Sequence, residues 1–268
     1  LHRVDRRQRQ MCIRDRKGGE HITPFAFDRD DASSLAQLGS LSPWLVIDAS
    51  GPFQSASYDL ARAAIGFGAH WIDLADARDY LLGFGAALDA MARKNGVIAR
   101  AGASSTPALS MAVVTDLTKD WQRIDSVDIA ILPGGAGEVG EAVIRAILSY
   151  AGATITVYEE GAERDVSGWG SVTRAKIDGL GVRYLSPVET ADAVLMQRRF
   201  NVASRVSFSA GLESRVEHFG IVGLAQLRKR GVISRPETLA PLLANARRVT
   251  RLFATHRGGM TVTCAGLD

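Results

Sequence analysis

The chain has 268 residues, of which 46% are hydrophobic and 23% are charged, and its formal net charge is +3. This length is enough for two domains of ordinary size, and the composition is typical of a soluble globular protein. No apolar run approaches the roughly 18 residues of a membrane-spanning helix, and two cysteines are too few for a disulfide framework, so we expect a cytoplasmic protein without membrane contact.

The net charge is set by the first 17 residues. Residues 1–17 contain seven Lys or Arg and two Asp, a balance of +5, which leaves −2 on the rest of the chain. Nothing beyond that segment therefore supports a nucleic-acid-binding surface. The segment has no hydrophobic period and no helix cap, and an Arg-rich arm or a targeting peptide is its functional alternative. We expect residues 1–17 to be a non-native or disordered basic segment.

The following hundred residues alternate short apolar runs with helical patterns. The predicted order is strand 23–27, helix 32–41, strand 44–48, helix 55–68, strand 71–76, helix 80–94, strand 97–101, and a helix that Thr106 caps, with Pro107 at its first position. Strands that alternate with helices over short connections form βαβ units, which imply a parallel sheet with right-handed crossovers.

The strand 44–48 and the turn after it organise this region. The run is apolar except for its last residue, as in a strand buried on both faces of a parallel sheet. Ligands bind outside the carboxyl ends of such strands, where residues 49–53 lie. Gly51 would let the backbone turn sharply beside a ligand, and Pro52 would stiffen the exit. A plain strand-to-helix turn explains this stretch equally well.

All three predicted parallel strands end in small or acidic residues. These are Ser50 and Gly51, then Asp76, then Gly102, Ala103 and Ser104. Because the carboxyl ends of parallel strands meet at one edge of the sheet, three such turns together favour a binding site there.

The chain after residue 121 predicts an α+β domain. Its candidate strands are 127–132, 154–158, 172–176, 182–184, 202–208 and 260–264, and its candidate helices are 141–150, 221–229 and 236–255. We therefore expect one domain over residues 20–120 and a second over residues 121–268, incomplete at its C-terminus.

A glycine loop in the second half competes for the role of cofactor site. Residues 135–140, GAGEVG, match the dinucleotide fingerprint G-x-G-x-x-G, and Glu159 follows about 20 residues later. Backbone N–H groups in such a loop can hold a pyrophosphate. However, Pro133 and Gly134 lengthen the loop, the next helix is short, and the βαβ rhythm stops after Glu159. We favour a glycine-rich helix start that faces the interdomain cleft.

These motifs give the chain a family resemblance. It resembles the saccharopine dehydrogenase-like family of nicotinamide-dependent oxidoreductases. The matching features are VIDASGPF at 46–53, Tyr58 and Ala61, HWIDLAD at 70–76, GASSTP at 102–107, Pro133-Gly134, and RGGM at 257–260. The resemblance implies an α/β fold, in which a partial Rossmann-type, doubly wound parallel sheet is followed by an α+β second domain. The family's own glycine fingerprint lies upstream of anything present, so we expect a fragment that lacks the first βαβ unit.

The resemblance also implies a site. It implies NAD or NADP as the cofactor and a small polar molecule as the substrate. Carried over by position, the resemblance places Asp28 near the adenine of the cofactor. It places Ser50, Gly51, Pro52 and Phe53 along the nicotinamide half. It places Asp76, Gly102, Ala103 and Ser104 near the nicotinamide or the substrate. Second domains of this family close over the substrate and often pair subunits, so a homodimer is an expectation.

No catalytic residue follows from the sequence. The order of Ser, His and Asp residues does not indicate a catalytic triad, and the Cys and His residues do not have the spacing of metal ligands. The position of His70 at the start of a strand indicates a structural role for it. For His218, the sequence favours a position on the surface. Arg78 and Tyr80 follow Asp76 and could reach the cleft, although solvated residues at a helix start have the same pattern.

Two functions from different classes remain open. The leading interpretation is an oxidoreductase that transfers a hydride between NAD(P) and a small polar substrate, at a C–N bond as in saccharopine-type enzymes. The alternative is a non-catalytic Rossmann-like domain that serves dimerisation or partner binding. Without the upstream glycine loop, we expect this chain alone to bind the cofactor weakly or not at all, and to be inactive alone.

Overall fold

The computed structural model describes residues 22–23, 25–29, 31–54, 56–137 and 139–268. The predicted basic segment, residues 1–17, lies outside this part of the chain. No helix in the described ranges combines the length and the apolar character needed to cross a bilayer.

The first layer is a three-stranded parallel sheet with its helices. Its elements are α1 (Ala32–Ser40), β1 (Leu45–Asp48), α2 (Asp59–Gly66), β2 (His70–Asp73), α3 (Arg78–Lys94) and β3 (Ala99–Arg100). The strands lie in the order β1-β2-β3, and both pairs are parallel. The predicted βαβ series and parallel sheet are therefore confirmed.

Helices α1, α2 and α3 share one core with this sheet. On α2, Ala61 and Ile65 are one turn apart and both are buried, as are Phe84 and Leu88 on α3. These i,i+4 pairs form apolar stripes that pack against buried Trp71 of β2. The packing holds the carboxyl ends of the three strands along one edge.

Two expectations for this region are wrong. Residues 25–28 form no strand, and Phe25 and Phe27 are exposed, with their rings edge-to-face on each other. Strand β1 is not buried on both faces, because Ile47 is 61% exposed. Ile47 is not part of the core that the helices share with the sheet, so the apolar run of β1 does not predict its burial.

The link to the second half starts with a π-helical turn, Ser105–Leu109, and continues as α4 (Ser110–Leu117). Thr106, the predicted cap, is extended, with φ −131° and ψ 131°, which is the usual backbone conformation of a residue that precedes the first helical turn. Val114 of α4 is buried with Ile124 of the following strand. Helix α4 therefore belongs to the second core.

The second layer is a larger mixed sheet with helices. Its strands are β4 (Arg123–Leu132), β5 (Thr154–Glu159), β6 (Ala162–Ser167), β7 (Thr173–Ile177), β8 (Gly181–Pro187), β9 (Arg205–Ala210) and β10 (Gly259–Leu267). Its helices are α5 (Glu141–Tyr150), α6 (Asp192–Phe200), α7 (Arg215–Lys229) and α8 (Ala240–Thr250), with short 3-10 turns at Pro236–Leu239 and Arg251–Phe253.

The strand order of this sheet is β10-β4-β9-β5-β6, with β8 also on β9 and β7 on β8. Only β4 and β9 run parallel, and the remaining pairs are antiparallel. The chain is thus an α/β protein in which a parallel sheet is followed by an α+β unit. The sequence did not predict β6, because three adjacent charged residues conceal its alternation, and it did not predict α6.

Candidate functional site

Asp73 ties together the turns at the carboxyl edge of the parallel sheet. The residue is fully buried. Its Oδ2 accepts hydrogen bonds from Nε1 of Trp71 at 2.9 Å and from the hydroxyl of Tyr80 at 3.2 Å. Its Oδ1 accepts from the backbone N–H groups of Ala75 at 3.0 Å and Gly102 at 2.8 Å. A single carboxylate therefore fixes the turns after β2 and β3 relative to each other.

The turn after β3 requires glycine at its first position. Gly102 has φ +75°, and a Cβ there would lie 2.8 Å from Cδ of Pro107 and 2.9 Å from Cδ2 of Leu81. The next amide, of Ala103, donates to the carbonyl of Asp73 at 2.8 Å. Ala103 is exposed and Ser104 half-buried at this edge.

The turn after β1 meets the segment that precedes α1. Asp48 accepts hydrogen bonds from the backbone N–H of Ser50 at 2.9 Å and from its hydroxyl at 2.5 Å. Arg29 lies 3.4 Å from the Asp48 carboxylate and also donates to the Ser50 hydroxyl at 3.2 Å. Asp28 and Ser50 both line a cavity of about 360 Å³ in front of this turn. The structure thus brings together two of the predicted cofactor-binding residues.

The residues after Ser50 differ from the sequence-based expectation. Gly51 does not adopt a positive φ, and a Cβ on it would contact the Phe53 ring at the ordinary distance of 3.4 Å. The turn therefore does not need the conformational freedom of glycine. Phe53 is only 4% exposed and packs on Tyr80, with ring centroids 5.4 Å apart, whereas Pro52 is exposed.

Asp76 forms a polar cluster with residues of both layers. The side chain of Gln54, which follows the β1 turn, acts on both the carboxyl group of Asp76 and the hydroxyl of Tyr150, the last residue of α5, and lowers the pKa of each. Oε1 of Gln54 is buried and has no hydrogen-bond partner in the described ranges. Gln54 therefore lies between the carboxyl edge of the parallel sheet and the second layer, with an unsatisfied acceptor.

The acidic groups of this cluster hold their protons more tightly than usual. Asp76 is exposed on one side, but protein atoms on its other sides reduce its hydration and raise its pKa. Burial likewise raises the pKa of Tyr150 to about 12, and the charges of Glu189 and Asp76 add to this. Burial also raises the pKa of Glu189, against the opposing effect of Arg78. Tyr150 therefore keeps its proton at neutral pH, and burial favours the protonated forms of Asp76 and Glu189 relative to ordinary carboxyl groups.

Arg78 is the cation of the cluster. Its guanidinium lies 3.8 Å from the Glu163 carboxylate on β6 and 3.8 Å from Asp79. The side chain is 20% exposed, so it reaches the region between the layers. Tyr80, the other residue considered from the sequence, is 5% exposed and belongs to the core.

The glycine loop 135–140 does not form a dinucleotide site in the described residues. Strand β4 is parallel to β9, which is antiparallel to β5, so β4-α5-β5 is not the parallel unit that the fingerprint requires. The Gly135 amide already donates to Glu213 Oε2 at 2.7 Å, and the Ala136 amide donates to the Thr255 carbonyl at 2.9 Å. The loop serves as the start of α5.

Two histidines have structural positions. Nδ1 of His70 accepts a hydrogen bond from the amide of Ile98 at 2.9 Å, which confirms the structural role expected from the sequence. His218 was expected at the surface, and this is wrong. It is fully buried, with Nε2 3.1 Å from the Ser186 hydroxyl, because α7 packs this side against β8. Burial lowers the pKa of His218.

The second layer also contains a large groove that includes none of the predicted site residues. It has a volume of about 720 Å³ and lies between the β7–β8 hairpin and the sheet. The described residues contain no group of three or more His, Cys, Asp or Glu side chains able to hold a metal ion.

Comparisons with known proteins give only distant likenesses. No protein-family profile matches the chain, and no curated protein matches it. Among solved structures, the chain is similar to saccharopine dehydrogenase (L-Glu forming) from Saccharomyces cerevisiae, with 12% identity and a TM-score of 0.48 over 70% of this chain and 44% of that one.

Two further structures are similar to a smaller extent. YvaA from Bacillus subtilis, named as an oxidoreductase, has 12% identity and a TM-score of 0.31, over 64% of this chain and 47% of that one. GenD2 from gentamicin A biosynthesis, solved in complex with NAD, has 14% identity and a TM-score of 0.28, over 63% and 47%. The chain spans less than half the length of each of these three proteins.

Proposed function

We propose that this chain forms the nicotinamide and substrate part of an NAD(P)-dependent oxidoreductase that acts on a small polar molecule. One observation carries the proposal. At the carboxyl edge of a parallel sheet, where such folds bind ligands, burial raises the pKa values of Asp76 and Tyr150, and the side chain of Gln54 acts on both and has a buried acceptor without a partner.

The residues fit the nicotinamide half of the cofactor better than its phosphates. Oε1 of Gln54 is a buried acceptor without a partner, and the carboxamide N–H group of a nicotinamide is a donor of the kind it lacks. By contrast, the amides of Ser50, Gly102 and Ala103 already donate to Asp48 or Asp73. The described turns therefore leave few free N–H groups for a pyrophosphate, which is the reason to expect weak binding.

A bound nicotinamide would supply or accept the hydride, and the protein would orient the reactants and move protons. Asp76 is the proposed proton donor to the substrate, because its carboxyl group is solvent-accessible on one side and its pKa is raised. Gln54 orients that carboxyl group, and Tyr150 contributes a second hydroxyl from the opposite layer. Arg78 balances the carboxylates around them.

This arrangement suits reduction of either C=O or C=N bonds, since both need a proton at the heteroatom. The C–N bond implied by the family resemblance is the finer part of the proposal. The site needs both layers, because Tyr150 and Glu189 come from the second one.

A search for turnover tests the function. NADH and NADPH are supplied at millimolar concentration, to compensate for weak binding, with small polar oxo compounds in the presence and absence of ammonium. Although the missing glycine loop predicts an inactive chain at ordinary cofactor concentrations, we propose that millimolar cofactor restores slow oxidation that depends on the oxo compound, and an ammonium requirement would assign the C–N bond. Absence of turnover with every compound would favour the non-catalytic alternative.

A further inference from the structure

Two buried polar side chains join the link after the parallel sheet to the second layer. Ser110 is the first residue of α4, and Asp192, 82 residues later, is the first residue of α6. Both are fully buried, and Oγ of Ser110 is hydrogen-bonded to Oδ1 of Asp192. One turn further along each helix, Val114 and Met196 lie in the apolar core of the second layer. The pair is therefore shielded from water beside an apolar core.

The hydrogen atoms available at this contact are too few for an ionised aspartate. Oγ of Ser110 has two acceptors within reach, the carbonyl of Pro107 at 3.0 Å and Oδ1 of Asp192. A serine hydroxyl has one hydrogen to donate, whereas an ionised carboxylate only accepts. Oδ2 of Asp192 is buried and has no hydrogen-bond partner among the described residues. A proton on the carboxyl group removes the shortage, because Asp192 then donates to Ser110 and Ser110 donates to Pro107.

No cation compensates a charge on Asp192 within the described ranges. Glu189, three residues earlier, is half-buried, and the cation that acts on it is Arg78. The charged side chains on α6 and on the elements that pack against it are all exposed: Arg198 and Arg199 on α6, Asp116 on α4, Glu159 on β5 and Arg205 on β9. An ionised Asp192 would therefore be a buried charge without a partner, which is unfavourable.

Two local effects favour the ionised form, but they are the weaker ones. The N-terminal turn of a helix attracts negative charge, and Asp192 begins α6. Hydrogen bonds from Ser110, Thr190 and the Asp192 amide also lower its pKa. Burial acts more strongly in the opposite direction, so the pKa of Asp192 is raised above its ordinary value.

We propose that Asp192 stays a neutral carboxylic acid in the folded protein at pH values at which the exposed aspartates are ionised, and that its proton completes a chain of hydrogen bonds from α6 through Ser110 to the Pro107 carbonyl. Pro107 in turn lies against the turn after β3, since a Cβ on Gly102 would be 2.8 Å from its Cδ. The chain of hydrogen bonds thus runs from the second layer to the carboxyl edge of the parallel sheet.

This chain joins two segments that carry residues of the candidate site. Ala103 and Ser104 lie shortly before Pro107, and Glu189 lies three residues before Asp192. Asp192 is therefore a positioning residue, which holds the turn after β3 against the loop before α6 while it is protonated. Its relevance to catalysis rests on the proposed function. Its protonation state does not, and the test requires neither cofactor nor turnover.

The test compares the pH dependence of the melting temperature among variants. In the unfolded chain Asp192 ionises at its ordinary pKa, so the stability that its raised pKa contributes is full below that value and is lost as pH rises through the raised one. Asp192→Asn has the shape of the neutral acid, and its N–H group can donate to Ser110 at every pH. We expect this variant to match the wild type at acidic pH and to melt at a higher temperature than the wild type once pH exceeds the raised pKa. Asp116→Asn, the control on exposed α4, should follow the wild type throughout.

Two NMR measurements complete the test. The carboxyl carbon signal that disappears in Asp192→Asn should stay at the position of a protonated acid after the exposed aspartates have titrated. Asp192→Ala breaks the chain, so it should displace the backbone amide signals of Ala103 and Ser104, whereas Asp192→Asn should leave them near their wild-type positions.

Three results would overturn the inference. An Asp192 carboxyl carbon that titrates together with the exposed aspartates would show that the residue is ionised, as would an Asp192→Asn variant that melts well below the wild type at every pH. Unchanged amide signals of Ala103 and Ser104 in Asp192→Ala would show that Asp192 does not position the turn.

Discussion

Asp73→Ala is expected to lower the free energy of unfolding by more than about 3 kcal/mol. The substitution leaves four buried donors without their acceptor: Nε1 of Trp71, the Tyr80 hydroxyl, and the amides of Ala75 and Gly102. A buried donor without a partner costs about 1–3 kcal/mol, and partial relaxation keeps the sum below four full penalties. Chemical denaturation with urea measures the loss.

A surface carboxylate provides the control. Asp89 pairs with Arg93 at 2.7 Å on α3, where both side chains are largely exposed. Asp89→Ala should change stability by about 0.5 kcal/mol or less. If Asp73→Ala were no more destabilising than this control, the carboxylate would not organise the turns of the carboxyl edge.

Asp76→Asn is expected to reduce turnover by about 10²–10⁴-fold, the usual contribution of a positioned general acid. The amide keeps the size of the side chain, but it has no acidic proton to give. The melting temperature should stay within error, because Asp76 is exposed on one side and is not part of a buried core. Asp89→Asn is the matched control and should leave turnover unchanged.

The pH dependence of turnover follows from the direction of the Asp76 pKa shift. The raised pKa keeps the carboxyl group protonated to higher pH than an ordinary aspartate. Turnover should therefore be highest on the acidic side and should fall as pH rises through the raised pKa, and Asp76→Asn should remove this limb. Equal rates for wild type and Asp76→Asn would exclude Asp76 as the proton donor.

The parallel layer could largely be predicted from the sequence because its signals are local. Apolar runs closed by Gly or Asp mark β1, β2 and β3, and Leu88, one turn from Phe84, marks the buried stripe of α3. The edge at which the turns meet followed from the parallel order alone. The burial of β1 did not follow, since the exposure of Ile47 depends on what packs against the sheet and not on the strand itself.

The cluster itself could not be predicted, because its members are far apart in the chain. Gln54, Asp76, Tyr150 and Glu189 carry no shared motif, and they meet only when the second layer packs beside the first. His218 was missed for a related reason. A histidine between polar and aromatic neighbours on a helix can face either way, and only the packing of α7 on β8 decides which.

Mapping the cofactor by NMR tests the central claim most directly. The ¹⁵N-labelled chain is titrated with NADH and NADPH into the millimolar range, and the shifted backbone amides are assigned. We expect shifts at Ser50, Gln54, Asp76 and Ala103, and their loss in Gln54→Leu. Shifts confined to residues 135–140, or no shift at the carboxyl edge at any concentration, would contradict a nicotinamide site at this edge of the sheet.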